Sequence, residues 1–175
     1  MFVPATALTV GGLFIGMALP TWHISRFAVA NIKGGGAAAG KQALDLVPLA
    51  AGMAYGAIAT ATTSGLIGFF TGAITWFGNG AGSLAMWGAT GGHTTLAARA
   101  TDQELTDMGN LILLLLSVAI LGAWKAIPKK AKPKMRLGII SGVLLGLSAT
   151  LGGLFMATVI PLANSAGSAL VGTIA

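Results

Sequence analysis

The hydrophobic pattern of this chain consists of long apolar runs separated by short polar segments. Uncharged stretches cover residues 1–25, 46–98, 108–124 and 137–175. A membrane-spanning helix needs about 20 consecutive apolar residues, so these stretches have room for several such helices. We therefore predict an all-α integral membrane protein with about four transmembrane helices, at residues 3–22, 46–70, 108–126 and 137–160.

Two basic segments set the expected orientation of these helices. The segment 23–45 contains Arg and Lys residues, and the segment 125–136 holds six of the ten basic residues of the chain. Basic loops resist translocation, so we expect both segments to be cytoplasmic loops and both termini to be extracytoplasmic. The acidic segment 102–107 would then lie outside. The protein would be a multi-pass protein of the cell membrane.

The uncharged stretch 46–98 is long enough for one crossing or two. The chain must cross an even number of times between the two basic loops, and the following apolar run accounts for one crossing. We therefore expect one crossing at 46–70, followed by a re-entrant or interfacial segment near 71–92. Tryptophan prefers the headgroup level, and the four tryptophans fit this placement. Trp22 and Trp124 fall at the cytoplasmic ends of predicted helices, and Trp76 and Trp87 fall near the outer interface.

Three local signals refine the expected ends of the helices. The N-terminus has no basic n-region, so we interpret residues 1–22 as a retained span, with a signal cleaved near Ala18 as the alternative. The sequence GGGAAAG at 34–40 is typical of a flexible hinge. Thr101 and Glu104 have the spacing of a capping box, which predicts a helix start near Asp102. No internal repeat of solenoid length is visible.

The composition argues against an ordinary soluble domain. Hydrophobic residues make up 55% of the chain and charged residues 8%, whereas a soluble domain carries about 25% charged residues. The mean hydropathy is +0.85. The net charge of +6 comes from clusters beside apolar runs, which favours anionic lipid headgroups as the partner. We expect Lys129, Lys130, Lys132, Lys134 and Arg136 to meet those headgroups. Nucleic acid is disfavoured, because no aromatic residues interleave with this cluster.

Glycines recur at four-residue spacing on three of the predicted helices, including the pair Gly52 and Gly56. On a helix such residues share one face, and their small size lets another helix approach closely. We expect Gly12, Gly16, Gly138, Gly142 and Gly146 to be helix-packing residues. The partner is either another helix of the same subunit or a second copy, and we favour contacts within a homo-oligomer.

The sequence lacks the residues that catalysis or metal binding would require. It contains no cysteine, and His23 and His93 are isolated from other metal-ligating residues. We predict no enzymatic activity, no metal and no cofactor. Asp45, at the edge of a predicted helix, is either a helix N-cap or a proton or cation site, and its position favours the cap. The hydroxyl cluster at 60–64 either bonds carbonyls of its own helix or lines a wet path.

The hairpin of residues 109–162, with Lys129, Lys130, Lys132, Lys134 and Arg136 in its loop, resembles conjugative pilins of type IV secretion systems. Those subunits are small, apolar helical hairpins with a basic cytoplasmic loop, and they polymerise. The resemblance implies that this loop faces a lumen and meets lipid headgroups. The chain departs from the pilin layout by its additional predicted spans. Short holins offer a second resemblance, although they usually end in a charged tail, which this sequence lacks.

These observations predict a non-enzymatic structural subunit that self-assembles in a membrane. The expected setting is a secretion or conjugation conduit, or a pilus-like filament. One alternative is a pore-forming, holin-like protein or a small transporter or channel subunit. Another is an accessory subunit that contributes helices to a larger membrane complex.

Overall fold

The computed structural model describes residues 7–33, 43–62, 64–98, 105–149 and 151–174. Over these residues the chain is helical, which confirms the predicted all-α class. The helices are α1 Val10–Lys33, α2 Val47–Thr60, α3 Gly65–Thr90, α4 Asp107–Ala123, α5 Ala131–Gly146 and α6 Leu151–Ile174.

The continuous helices predicted at 46–70 and 137–160 are wrong, because each is broken into two. The axis turns by 110° between α2 and α3. Thr60 Oγ1 bonds the carbonyl oxygen of Ala57 at the end of α2, and such side-chain bonds compete with the helical backbone pattern. Gly65 opens α3 with a φ of +72°, a conformation that favours glycine. The equivalent break in the second half separates α5 from α6.

The predicted loops are partly helical. Helix α1 begins at Val10 rather than residue 3 and continues to Lys33, well into the predicted loop 23–45. No Gly or Pro interrupts residues 21–33, so the chain has no local reason to leave the helix there. Helix α5 likewise includes residues 131–136 of the second predicted loop, and its Pro133 lies in the first turn, where proline is tolerated.

The start of α4 has a different cap from the predicted one. The capping box of Thr101 and Glu104 and the hinge at 34–40 lie outside the described residues. In the structure the N-cap is Thr106, whose hydroxyl oxygen accepts a hydrogen bond from the backbone N–H of Gly109 at 3.2 Å. This bond satisfies one of the free amides at the helix start.

The two halves of the chain repeat one arrangement of three helices. In the first half, the backbone N–H and the hydroxyl of Thr9 donate to Asn79 Oδ1 at 2.9 and 3.0 Å. In the second half, the same two groups of Thr106 donate to Asn164 Oδ1 at 3.1 and 3.0 Å. Each threonine precedes the first helix of its half, and each asparagine lies on the third. Helices α1, α2 and α3 therefore correspond to α4, α5 and α6.

The central pair, α2 and α5, relates the two halves by reciprocal contacts. A Cβ at Gly52 would overlap the carbonyl oxygen of Met135, and a Cβ at Gly138 would overlap that of Leu49. Leu49 and Gly52 of α2 are equivalent to Met135 and Gly138 of α5, so the same contact is made twice. The contacts advance in the same direction along both helices, so the pair is parallel. An approximate two-fold axis therefore runs along α2 and α5.

The molecule has two distinct ends. Helices α2 and α5 both start at one end, where Lys134 and Asp45 form an ion pair at 3.4 Å; we call this the basic end. At the opposite end, which we call the far end, Leu8 before α1 packs with Leu144 and Leu147 at the end of α5. Helix α1 therefore runs antiparallel to α5. The second half repeats this relation, with α4 antiparallel to α2.

Helices α3 and α6 contact the rest of the molecule at the far end. Gly82 of α3 packs against Gly11 near the start of α1, and Gly167 of α6 packs against Met108 near the start of α4. After α3 the chain pairs with the segment before α1, where Val10 N donates to Thr95 O at 2.9 Å. The two helices therefore lie against the far end of the other four.

Candidate functional site

The surface of α3 has the reverse of the pattern expected for a water-soluble protein. Its buried residues are small, namely Gly68, Thr75, Gly78 and Gly82. Seven of its large apolar residues are between 57 and 72% exposed; they are Leu66, Phe69, Phe70, Trp76, Phe77, Leu84 and Trp87. Soluble proteins bury large apolar side chains, whereas helices in lipid pack through small ones. The surface chemistry of α3 therefore matches an apolar environment.

Helices α1 and α4 also expose large apolar residues, and α1 buries mainly glycine. The buried residues of α1 are Gly11, Gly12, Gly16 and Pro20. Its exposed side chains include Phe14, Trp22, Ile24 and Ile32. Of the 17 residues of α4, only Gly109 and Leu113 are buried, and Leu114, Val118 and Leu121 are exposed. A contiguous apolar surface of this kind marks a membrane or protein contact.

By length and composition, one helix in the described part of the chain is long and apolar enough to cross a membrane by itself. This is α1, and 11% of the residues in its most apolar window are buried inside the protein. A helix in the core of a soluble protein would be mostly buried. Helices α2 and α3 pass the same test together as a bent pair, and α4 is apolar but shorter.

The basic end concentrates charge around an aromatic ring. Lys132 Nζ lies 5.8 Å from the centre of the Trp124 ring, and Arg136 Cζ lies 5.1 Å from it. Both distances are within the range of cation–π attraction. The ring therefore holds two of the five predicted headgroup ligands together beside the end of α4.

The other predicted headgroup ligands differ in their surroundings. Lys129 and Lys130 are exposed in the turn before α5. Lys134 is partly buried and binds Asp45 through both its carboxylate, at 3.4 Å, and its backbone carbonyl, at 3.1 Å. Four of the five predicted headgroup ligands thus remain available for an external anion, while Lys134 joins the starts of α2 and α5.

The expected cap role of Asp45 is wrong. The N-cap of α2 is Leu46, which makes no side-chain capping bond. Asp45 lies one residue earlier, its side chain 75% exposed and paired with Lys134. No cluster of three or more His, Cys, Asp or Glu side chains that could hold a metal occurs among the described residues.

The predicted helix-packing glycines all lie at close contacts within the chain. Gly12 contacts Asn79, and Gly16 contacts Leu144. Gly138, Gly142 and Gly146 contact Leu49, Met53 and Thr60 of α2. These five positions therefore serve packing between helices of one subunit, which is the alternative that we did not favour from the sequence.

Sequence reasoning missed the two asparagines that tie each half together. Their signal is a pair of matching motifs, NGAGS at 79–83 and NSAGS at 164–168. A second pair, Leu-Thr-x-x-Gly, occurs at 8–12 and 105–109. Both pairs fall on the contacts that repeat between the halves, so a search for repeats of half the chain length would have found them.

The hydroxyl cluster at 60–64 lies at the break between α2 and α3 rather than within a continuous helix. Thr60 bonds a carbonyl of its own helix, as the first interpretation expected. Thr62 Oγ1 is buried and has no hydrogen-bond partner among the described residues. Thr63 lies outside the described residues.

Comparisons with known proteins give no relative on which to base an assignment. No family model matches the chain, and neither the curated proteins nor the solved structures contain a match. A proposal about function therefore depends on the surface chemistry and the repeat described above.

Proposed function

We propose that this protein is a non-enzymatic, multi-pass subunit of the cell membrane that self-assembles into a larger structure. The observation that carries the proposal is the surface of α1, α3 and α4: all three expose large apolar residues, and the buried positions of α1 and α3 are mainly glycine. Lipid is the medium in which that arrangement is stable, because exposed Leu and Phe cost nothing there and glycine contacts drive helix association.

The proposed topology uses four crossings, one each by α1, α2, α4 and α5. The antiparallel pairing of α1 with α5 and of α4 with α2 supports such an up-and-down path. The cations of the basic end mark the cytoplasmic side by the positive-inside rule. Both termini then lie outside.

Anionic lipid headgroups are the proposed ligands of the basic end. Lys132 and Arg136 are gathered at Trp124, and tryptophan is favoured at the membrane interface. Lys129 and Lys130 precede α5, whose first-turn amides add a partial positive charge. Each cation near an anionic surface contributes about 1 kcal/mol of attraction.

Contact between copies is proposed for the exposed face of α4. The glycine seams expected to join copies are already used inside the chain. Helix α4 instead has only Gly109 and Leu113 fully buried and exposes Leu114, Val118 and Leu121, so it has room for another helix. The proposed setting, a secretion or conjugation assembly, depends on the sequence resemblance of residues 109–162 to conjugative pilins.

The mass of the particle released from membranes in native lipid tests self-assembly. A closed ring gives one discrete multiple of 17.4 kDa, and a filament gives a broad series of large particles. Val118→Ser and Leu121→Ser on α4 should reduce that mass, whereas Leu84→Ser and Trp87→Ser on α3 should not. A wild-type particle that is monomeric at all concentrations would contradict the proposal.

A small transporter or pore is the second candidate, and the repeat favours it. Many transporters consist of two repeated halves whose broken helices meet near the middle of the membrane. Here the breaks after Thr60 and Gly146 occupy equivalent places in the two halves. Flux of ions or small solutes into vesicles carrying a monomeric protein would support this candidate over the assembly subunit. An accessory subunit would instead be recovered with other chains of a complex.

A further inference from the structure

We propose that α3 and α6 form a layer immersed in the acyl chains of one leaflet, the leaflet opposite the basic end, and that neither helix crosses the membrane. The inference rests on the proposed membrane location and adds where these two helices lie and what they contact. Its partner is the hydrocarbon of a single leaflet.

The contacts of α3 place both of its ends at the far end. Its first turns follow α2 directly, and Ile67 packs against the cluster that joins Ile58 of α2 to Leu105 before α4. Near its other end Gly82 meets Gly11, and the following segment pairs with Leu8, which accepts from Ala97 N at 2.8 Å. The starts of α1 and α4 both belong to the far end. A crossing helix would need one end at the basic end.

The same contacts recur in α6 through the repeat. Asn164 accepts both hydrogen bonds from Thr106, and Gly167 packs against Met108 at the start of α4. Ala163 lies in the cluster with Ile58 and Ala59 at the end of α2. Helix α6 therefore occupies the place in the second half that α3 occupies in the first.

The exposed surface of α3 fits hydrocarbon rather than the headgroup layer. An interfacial helix has a charged or polar face directed to water. Helix α3 carries no Asp, Glu, Lys or Arg from Gly65 to Thr90. Its large exposed residues, among them Phe69, Trp76 and Phe77, lie on one face of the helix, within an arc of about 120° at 3.6 residues per turn. Immersion satisfies these side chains, because no part of the helix requires water.

The dimensions of the molecule agree with this placement. Helix α2 has 14 residues, about 21 Å at 1.5 Å per residue, which is too short for a hydrocarbon core of about 30 Å. A helix lying across its end adds its own diameter of about 10 Å. Together they reach the thickness of the core. The protein then has six helices in one leaflet and four in the other.

Single cysteines can test the layer, since the natural sequence has none. Ser64→Cys and His93→Cys mark the two ends of α3, and Lys129→Cys marks the basic end; all three positions are exposed. In right-side-out vesicles an impermeant thiol reagent should label position 93, which follows α3, without opening, and position 129 only after the vesicles are opened; position 64, at the immersed start of α3, should gain no labelling on opening. Labelling of 64 and 93 from opposite sides would overturn the inference.

The depth of spin labels separates failure of the layer from failure of the membrane location. Phe69→Cys and Trp87→Cys lie 18 positions apart, about 27 Å along a helix axis. The layer predicts similar depths in one leaflet and strong relaxation by oxygen, which concentrates in hydrocarbon. If oxygen relaxes both spin labels but the two labels lie in opposite leaflets, the proposed layer is wrong while the membrane location stands. Accessibility to aqueous reagents instead, at both positions, would overturn the membrane location as well.

Discussion

Two asparagines determine how each half of the molecule closes on itself. Asn79 Oδ1 receives two hydrogen bonds from Thr9, and Asn79 Nδ2 donates to the carbonyl of Ala7 at 2.8 Å. The Thr9 hydroxyl also accepts from Gly12 N at 3.1 Å, which caps α1. A single side chain thus fixes both the start of one helix and its crossing with another, and Asn164 repeats the role.

Replacing either asparagine with alanine should destabilise the fold. Asn79→Ala leaves the backbone N–H of Thr9 without its partner, and an unsatisfied group of this kind costs about 1–3 kcal/mol. Asn164→Ala should cost a comparable amount, because it serves the equivalent contact. Asn110→Ala, at an exposed position of α4, is the matched control. Unfolding in mixed detergent measures all three; a loss by Asn110→Ala as large as the others would contradict the assigned role.

Removing cations from the basic end should weaken the binding of anionic lipid, and the size of the effect should depend on which cations are removed. The triple change Lys129→Gln, Lys130→Gln and Arg136→Gln removes exposed cations, and each loss should cost about 1 kcal/mol of surface attraction. Lys134→Gln should have a smaller effect on lipid, because Lys134 is paired with Asp45. Native mass spectrometry of retained anionic lipid measures both.

The lipid effect should decrease as salt increases, because exposed charges are screened over about 8–10 Å at physiological ionic strength. Insertion itself should persist in the triple variant, since apolar helices drive it. Equal lipid retention by wild type and triple variant at low salt would show that the basic loop is a topology signal alone.

At the scale of elements, the apolar runs of the sequence predicted which segments are helical. They predicted the ends of the helices less accurately. Hydropathy does not distinguish one long helix from two short ones, so the breaks before Gly65 and Leu151 were not predicted. Helix α1 extends to Lys33 because charge affects depth in a membrane but does not end a helix. The glycine spacing in α5 predicted a close contact, but its partner, α2, depends on the three-dimensional arrangement.

A large side chain in the α2–α5 seam should destabilise the subunit itself. Leucine at Gly142 would collide with the backbone of Met53, and overpacking of this kind typically costs 1–3 kcal/mol or more, so we expect a loss of about that size. Gly80→Leu on α3 is the control, because among the described residues no atom outside its own helix backbone lies within 4 Å of its Cβ position. Thermal unfolding followed by circular dichroism compares them. Unchanged stability with altered particle mass would instead place Gly142 between subunits.

At the scale of the whole molecule, the arrangement of the six described helices is explained by a three-helix unit that occurs twice. The properties of the individual helices do not explain it. The parallel α2–α5 pair lies on the two-fold axis, and each half closes through its own asparagine. The sequence carries this repeat in two short motifs, but the intervening segments differ, so hydropathy alone does not reveal it. The basic cluster could be located from composition, whereas the cation–π contacts with Trp124 and the ion pair with Asp45 depend on the fold.

The central claim is that large apolar side chains of this protein face lipid. Tryptophan fluorescence of the unmodified chain in vesicles tests it directly, because Trp22, Trp76 and Trp87 are 64, 72 and 66% exposed. In phosphatidylcholine brominated along its acyl chains, we expect most of the emission to be quenched relative to unbrominated lipid, while aqueous iodide has little effect. Emission that is insensitive to bromine and strongly quenched by iodide would contradict the account.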